Sequence, residues 1–151
     1  MTQRSVKMLL ELSPAAQPSF SAMLEALDRK LGEDRYIVFE GKRSVQVQEA
    51  YYAQGRDSLE QVNFLRGTAG LYLLKSDREN YLITWTLKSK HIDGLAMDIL
   101  PMDGQGNPTW DLAHYRERFG VIRECGLAAG LICGADWSDP YTDWPHYEFW
   151  G

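Results

Sequence analysis

The sequence lacks most of the features that mark membrane proteins, nucleic-acid-binding proteins and repeat proteins. No apolar run approaches the ~20 residues that a membrane-spanning helix requires. Lysine and arginine number 16 against 21 aspartate and glutamate residues, and this net charge of -5 argues against nucleic acid as the main partner and against electrostatic capture on anionic membranes. Internal repeats and low-complexity segments are absent as well. With 151 residues, of which 44% are hydrophobic, the chain is long enough to bury the core of one globular domain.

Cysteine is also scarce, and so are the signals of export. Cys125 and Cys133 are eight residues apart, which is not a zinc-ribbon spacing, and both lie among apolar and small residues. We expect two buried free thiols rather than a disulfide or a metal pair, because free cysteine is usually buried. Residues 1–12 show no signal-peptide layout or cleavage site, so we expect the protein to stay in the cytoplasm until another factor releases it.

Hydrophobic patterns along the chain predict an α+β fold. Apolar residues at helical spacing predict helices over residues 19–31 and 111–125, and Ser44 is a natural cap for a third helix that continues to about residue 54. Extended patterns predict strands over residues 36–40, 72–74, 81–87, 95–100 and 147–150. We therefore predict a small, mainly antiparallel sheet with helices packed beside it.

The chain has only three histidines, and two of them stand in motifs that can carry chemistry. The first motif, residues 89–98, reads SKHIDGLAMD and contains His91 and Asp98. Gly94 permits a tight turn between them, so a bend could bring both side chains toward one point. Together with His146 they make a three-ligand set for a catalytic Zn²⁺ that leaves a fourth position for water. Taken alone, either histidine would be read more simply as a half-buried side chain bonded to backbone.

The second motif, residues 143–148, reads DWPHYE. Pro145 argues against a helix around His146, which excludes the helical HExxH pattern of other metalloproteases and suits an edge strand or an extended loop. Asp143 is a carboxylate that could serve the water as a general base. Glu148 is the competing base, although a role in orienting the imidazole of His146 suits it better. No Ser-His-Asp or Cys-His constellation competes with this arrangement.

These motifs resemble the D-alanyl-D-alanine carboxypeptidase and dipeptidase family of zinc peptidases, and within it the phage endolysin branch of L-alanyl-D-glutamate endopeptidases. The family pattern S-x-H-x-x-G-x-A-x-D fits residues 89–98 at each fixed position, and the closing acidic-x-x-His pattern fits residues 143–148. Residues 41–56 resemble the arginine-bearing strand end and the helix after it, and residues 126–137 resemble the family's GL…GGDW segment. The likeness runs in order through residues 36–150.

The resemblance implies the fold that this family shares with the Hedgehog signalling domain, and one Zn²⁺ per chain. It implies that Arg43 donates to the scissile carbonyl or to a substrate carboxylate, and that Ser89 contacts substrate or supports a ligand. The implied substrate is the peptide stem of peptidoglycan, cut between L-alanine and D-glutamate by a monomer during phage-driven lysis. We also expect one domain over residues 1–151, with a helical segment over 1–35 packed on a family-like core over 36–150.

Two alternatives stay open at this stage. One keeps the chemistry and removes the terminal D-alanine of the stem, as a carboxypeptidase does. The other is a non-catalytic zinc module, in which the metal supports a binding surface. Asp143 argues against this module, because a protein that only binds has no need for a base beside the metal.

The chain departs from the family pattern at two places. Residues 57–88 form a segment that is longer than usual, and residues 125–134 carry several extra residues between their glycines. The longer segment leads directly into the motif that contains His91. We therefore expect it to flank the substrate cleft and to tune the choice of substrate.

Overall fold

The computed structural model describes residues 1–151, which fold into two compact units. The first unit combines Met1–Lys42 with Asp93–Gly151, and the second is Arg43–Ile92. The helices are α1 (Gln3–Leu10), α2 (Gln17–Lys30), α3 (Val45–Ala53), α4 (Leu59–Thr68) and α5 (Leu112–Ala128). The strands are β1 (Tyr36–Glu40), β2 (Ala96–Pro101), β3 (Ile132–Cys133) and β4 (His146–Glu148). This architecture confirms the predicted α+β class, whereas the single-domain organisation stays a prediction.

The strands of the first unit form one antiparallel sheet in the order β1-β2-β4-β3. Across β2 and β4, Asp98 stands opposite His146, and Met97 stands opposite Tyr147. Side chains alternate along a strand, and directly paired residues share a face of the sheet. Asp98 and His146 therefore project from one face, while Met97 and Tyr147 project from the other.

The core of the first unit lies on the face that Met97 and Tyr147 occupy. Helices α2 and α5 pack on each other, and α5 also packs on β2 and β3. The members of this cluster that have no exposed surface include Phe20, Met23, Leu24, Leu27, Val38, Met97, Ile99, Ile122 and Tyr147. Full burial of one such side chain stabilises the fold by about 1.5–3 kcal/mol. This cluster therefore fixes the register that positions the polar face.

Most predicted boundaries in the first unit are confirmed to within a few residues. β1 has the predicted residues, and α2 begins two residues before the predicted start at Ser19. α5 is capped by Asp111, whose carboxylate accepts the N–H of His114 at 3.2 Å. β4 lies inside the sheet because the short β3 pairs with its outer side. Pro145 lies in a turn directly before β4, so of the two settings predicted for it, edge strand or loop, the loop is the one observed.

The second unit contains a helix that the sequence analysis did not predict. α3 begins where predicted, after Ser44, whose hydroxyl accepts the N–H of Val47 at 3.1 Å. The additional helix, α4, is capped in the same way by Ser58. The two helices surround a small core whose buried members are Ala53, Val62 and Leu74.

Residues 71–92 contain no strand, so both strands predicted in this segment are wrong. The overturned strands are those over 72–74 and 81–87. Asn63 Oδ1 accepts the N–H of Leu74 at 2.8 Å, and Asn63 Nδ2 donates to the carbonyl of Leu74 at 3.0 Å. The carbonyl of Thr84 accepts two N–H groups of Arg56, each at 3.1 Å. Aromatic and β-branched residues suggest a hairpin here, but side chains supply the partners that a strand ladder would have supplied.

The prediction for the cysteines is confirmed, and the third histidine lies on the surface. Cys125 and Cys133 are both buried and free. His114 is exposed, and its Nδ1 lies 2.6 Å from the carboxylate of Asp111. None of the helices combines the length and the apolar character that spanning a bilayer requires.

Candidate metal centre

The polar face of the β2–β4 pair carries two of the predicted ligands. Asp98 and His146 are directly paired, and His146 Nδ1 lies 3.3 Å from Asp98 Oδ1. His146 is buried and Asp98 is half-buried. The strand register therefore brings together two side chains that are 48 positions apart in the sequence.

A second carboxylate lies beside the other nitrogen of the same imidazole. Glu148 stands two residues further along β4, and its Oε2 lies 3.9 Å from His146 Nε2. The indole of Trp137 also lies against this imidazole, with ring centroids 5.1 Å apart. Neighbours on several sides thus fix the ring, as expected for a ligand whose orientation is set in advance.

The charges around His146 favour a cation at this place. Burial lowers the pKa of His146, because the charged imidazolium loses its hydration. Hydrogen bonding to Asp98 and Glu148, together with the charges of Asp98 and Asp143, outweighs burial and raises the pKa to about 9. The same negative field attracts a divalent metal ion.

The third predicted ligand, His91, belongs to the second unit. It is 2% exposed, its N–H donates to Ser89 Oγ at 3.2 Å, and its carbonyl accepts the N–H of Arg43 at 2.9 Å. His91, Asp98 and His146 each offer one ligand atom, and these atoms all lie within 4.8 Å of one another. The structure therefore brings the three predicted ligands together.

The chemistry of this donor set fits a zinc ion. Two imidazoles and a carboxylate can form a catalytic zinc site, in which a fourth position remains for water or substrate. Donor atoms around a tetrahedral zinc ion, with bonds of about 2.0–2.1 Å, lie roughly 3.3 Å apart. The distance between Asp98 Oδ1 and His146 Nδ1 is 3.3 Å, as a bound ion requires, and the ligand atoms of the whole set lie within 4.8 Å of one another.

Asp143 has an exposed side chain and a firmly held backbone. Its N–H donates to the carbonyl of Gly134 at 2.8 Å, and its own carbonyl accepts the N–H of His146 at 3.2 Å. A Cβ atom at Gly134 would overlap the carbonyl oxygen of Asp143, so this close approach requires glycine. The predicted base is thus anchored next to a predicted ligand, while its carboxylate stays accessible to water.

Arg43 is held by the helix that follows it. Its Nη1 donates to Gln48 Oε1 at 2.6 Å, and its guanidinium lies 4.8 Å from the centre of the Tyr51 ring. The hydroxyl of Ser89 accepts the N–H of His91, so this serine supports the backbone of a predicted ligand. Both residues thus contact the His91 backbone, and their roles toward substrate stay predictions.

Sequence reasoning gave no role at the site to two neighbours that the structure reveals. The indole of Trp137 lies against His146. Gln48 is fully buried and bonds to Arg43. Helical spacing gave no signal for Gln48, because only its burial shows that both ends of the amide need partners.

The chain is similar to a known family over its C-terminal part. Residues 83–149 match the family model described as D-alanyl-D-alanine carboxypeptidase. These residues include Asp143 and the whole group of His91, Asp98 and His146. None of the curated proteins that were compared matches the chain.

Two solved structures resemble the whole chain. The L-Ala D-Glu endopeptidase ChiX of Serratia marcescens is 22% identical, with a TM-score of 0.56 over 99% of this chain and 89% of its own. The vancomycin-resistance D,D-pentapeptidase VanY of a VanB-type cassette, a mutant in complex with Zn(II), is 16% identical, with a TM-score of 0.52 over 93% of this chain and 73% of its own. At these identities the likeness concerns the fold.

The matched family region, the α+β fold and the donor set that fits zinc lead to the same assignment. Over residues 83–149 the chain is similar to the D-alanyl-D-alanine carboxypeptidase family, and its donor set fits the zinc ion of a metallopeptidase.

Proposed function

We propose that this chain is an endopeptidase that cuts the L-alanyl-D-glutamate bond of peptidoglycan stem peptides. The observation that carries the proposal is the group of His91, Asp98 and His146, whose ligand atoms lie within 4.8 Å of one another. The likeness to an L-Ala D-Glu endopeptidase over 99% of this chain supports the choice of bond. The biological setting that we propose is host lysis by a phage, with the enzyme held in the cytoplasm until its release to the wall.

The three ligands divide the catalytic work with Asp143. Zinc held by His91, Asp98 and His146 would lower the pKa of a water molecule and polarise the scissile carbonyl. Glu148 keeps the His146 imidazole oriented, because its carboxylate lies on the side of Nε2. Glu148 is buried, whereas the exposed carboxylate of Asp143 is accessible to an attacking water molecule.

Asp143 moves the proton in both halves of the reaction. Its carboxylate accepts a proton from the attacking water as the new carbon–oxygen bond forms. It then returns that proton to the amide nitrogen as the carbon–nitrogen bond breaks, so that the amine leaves in neutral form. The reaction needs no covalent intermediate with the protein.

Arg43 supplies positive charge for the substrate. A guanidinium presents several N–H donors in one plane, which matches a carboxylate of the stem or the oxyanion that develops on the scissile carbonyl. We expect Arg43→Lys to lower turnover by about tenfold to a hundredfold with little loss of stability, because the charge stays while the planar geometry is lost. Wild-type turnover by Arg43→Ala would remove Arg43 from the mechanism.

A carboxypeptidase is the second candidate. The matched family model is described by that activity, and VanY is a D,D-peptidase of similar fold. Such an enzyme would use the same zinc ligands and the same base on the terminal D-alanine. The two candidates differ in the bond that is cut and not in the chemistry of the cut.

Mass spectrometry of digested peptidoglycan separates these functions. Purified sacculi are treated with the zinc-loaded chain, and the soluble products are identified. An endopeptidase releases stem peptides that begin with D-glutamate, whereas a carboxypeptidase releases one D-alanine from each pentapeptide stem. Chelated protein and His91→Ala serve as controls, and both should be inactive. Release of D-alanine alone would establish the second candidate, and activity of the metal-free protein would refute both.

The lysis role needs its own test. The chain is produced in the cytoplasm of a susceptible bacterium, with or without a separate protein that permeabilises the inner membrane. We expect lysis only when both proteins are present, because the substrate lies outside that membrane. Unchanged turbidity with both proteins present, despite activity on sacculi, would contradict a lytic role and leave the chemistry intact.

A further inference from the structure

We infer that Gln48 is a positioning residue that orients the guanidinium of Arg43 for substrate; this rests on the proposed peptidase function. Gln48 has no exposed surface, and both ends of its amide are used. The amide oxygen accepts a hydrogen bond from Arg43 Nη1 at 2.6 Å. The amide nitrogen donates to the carbonyl of Thr86 at 2.6 Å and lies 3.4 Å from the hydroxyl of Thr84.

The first step of the argument concerns the plane of the guanidinium. Gln48 Oε1 fixes one edge of that plane through Nη1, and the ring of Tyr51 lies 4.8 Å from the guanidinium carbon. Gln48 and Tyr51 are three residues apart on α3, so one helix face supplies both contacts. A long arginine side chain has many rotamers, and these two contacts select among them before substrate arrives.

The second step concerns the segment that leads to His91. The N–H of Arg43 donates to the carbonyl of His91 at 2.9 Å. Gln48 holds the backbone of the same segment at Thr86, five residues before His91. The same buried amide therefore contacts both Arg43 and the backbone segment that leads to His91, a predicted zinc ligand. Loss of that amide would let the guanidinium shift while His91 keeps its own backbone bond to Ser89.

The chain provides a matched control directly after the same helix, at the C-cap of α3. Gln54 is also buried, its Oε1 accepts from Arg66 Nη1 at 3.0 Å, and its Nε2 donates to the carbonyl of Glu79 at 3.1 Å. It thus repeats the bridge from an arginine to a backbone carbonyl without contacting Arg43. Any effect that comes only from the loss of a buried amide in this part of the chain should appear equally at Gln48 and at Gln54.

The test compares Gln48→Met, Gln48→Glu and Gln54→Met as zinc-loaded full-length proteins. Turnover and Michaelis constant are measured on a soluble stem peptide, together with zinc content and melting temperature. We expect Gln48→Met to lower kcat by about tenfold to a hundredfold at unchanged zinc content, because misplacement of a positioned group acts on the chemical step. Gln48→Glu keeps an acceptor for Arg43 but loses the donor to the carbonyl of Thr86, so kcat should fall less than in Gln48→Met. Gln54→Met should leave kcat unchanged.

A double variant distinguishes positioning from general damage. If Gln48 acts through Arg43, then adding Gln48→Met to Arg43→Ala should change kcat no further. Equal effects of Gln48→Met and Gln54→Met on kcat, or an additive double variant, would overturn the inference. A wild-type chain that cuts no stem peptide when loaded with zinc would instead refute the proposed function, so the two failures are distinct.

Discussion

The first unit is held by a sheet and a large apolar cluster, whereas the second is held mainly by polar side chains that bond to backbone. The buried cluster of the first unit contains sixteen residues and that of the second contains three. In the second unit, amide and guanidinium groups donate hydrogen bonds to backbone carbonyls of residues 71–92. Examples are the side chains of Asn63, Arg56 and Gln54. One region is therefore defined by its register, and the other by individual hydrogen bonds.

The two regions also differ in charge. Between Arg43 and Ile92, lysine and arginine number seven against five aspartate and glutamate residues, whereas the rest of the chain has nine against sixteen. The acidic unit supplies Asp98 and His146, whose surroundings favour a metal cation. The basic unit supplies Arg43, which suits the carboxylates of a peptide stem. Two of the three predicted metal ligands therefore belong to the acidic unit, whereas His91 belongs to the basic unit, as does Arg43.

The largest effect should come from the base in the acidic unit. We expect Asp143→Asn to keep zinc and fold while turnover falls by about two to four orders of magnitude, because proton transfer is lost. Glu148→Gln should be milder and should act through zinc affinity, by about tenfold to a hundredfold. Kinetics on a soluble stem peptide, with metal analysis, checks both. A stronger loss of turnover in Glu148→Gln than in Asp143→Asn would exchange the two roles.

The next largest effects should come from truncating buried side chains, which should cost more stability in the first unit than in the second. Phe20→Ala removes a fully buried ring from the large cluster and should lower the free energy of unfolding by about 3–5 kcal/mol. Leu74→Ala in the small cluster should cost about 2 kcal/mol, the low end for this change, because the site is only partly enclosed by apolar groups. Urea unfolding measures both. Equal costs would mean that the small cluster is as well packed as the large one.

A polar substitution should matter unusually in the second unit. Asn63→Leu leaves the N–H and carbonyl of Leu74 without their side-chain partner, so we expect a loss of about 1–3 kcal/mol and faster hydrogen exchange at the Leu74 amide. Asn63→Asp retains the acceptor for that N–H and should lie between the leucine variant and wild type. Exchange at Leu74 that is identical in all three proteins would show that this pair does not hold the segment.

The smallest effect concerns a similar side-chain bond in the first unit. Asp103 Oδ1 accepts the N–H groups of Asn107 and Gln105, and these bonds, Asn107 first, lower the pKa of Asp103 below 3.8. A depressed pKa contributes stability that is present above the ordinary value and is lost as the pH falls through the lowered value. The loop around Asp103 should therefore loosen in acid. In Asp103→Asn the mobility of this loop should not depend on pH in this range, because asparagine does not titrate. Carboxyl titration by NMR tests this, and an ordinary pKa would refute it.

The same contrast explains how much could be read from the sequence. β1 and α2 followed from periodicity because a large apolar face decides their structure. The three predicted ligands came from two motifs, and the structure brings their ligand atoms together. The segment after Leu74 could not be predicted, because its backbone partners are side chains from α3 and α4, and no local pattern shows a pairing between a helix amide and a distant carbonyl. The contacts of Gln48 could not be predicted for the same reason.

A position without a side chain can also be essential to an enzyme. Any residue other than glycine at 134 would push against the carbonyl of Asp143, and would thereby displace the loop that anchors the base next to His146. In a saturation scan of the gene, screened for cleavage of a stem peptide, codon 134 should tolerate as little change as the codons of the ligands. Such a scan would rank Gly134 with the active-site residues, although its contribution is the space it leaves empty.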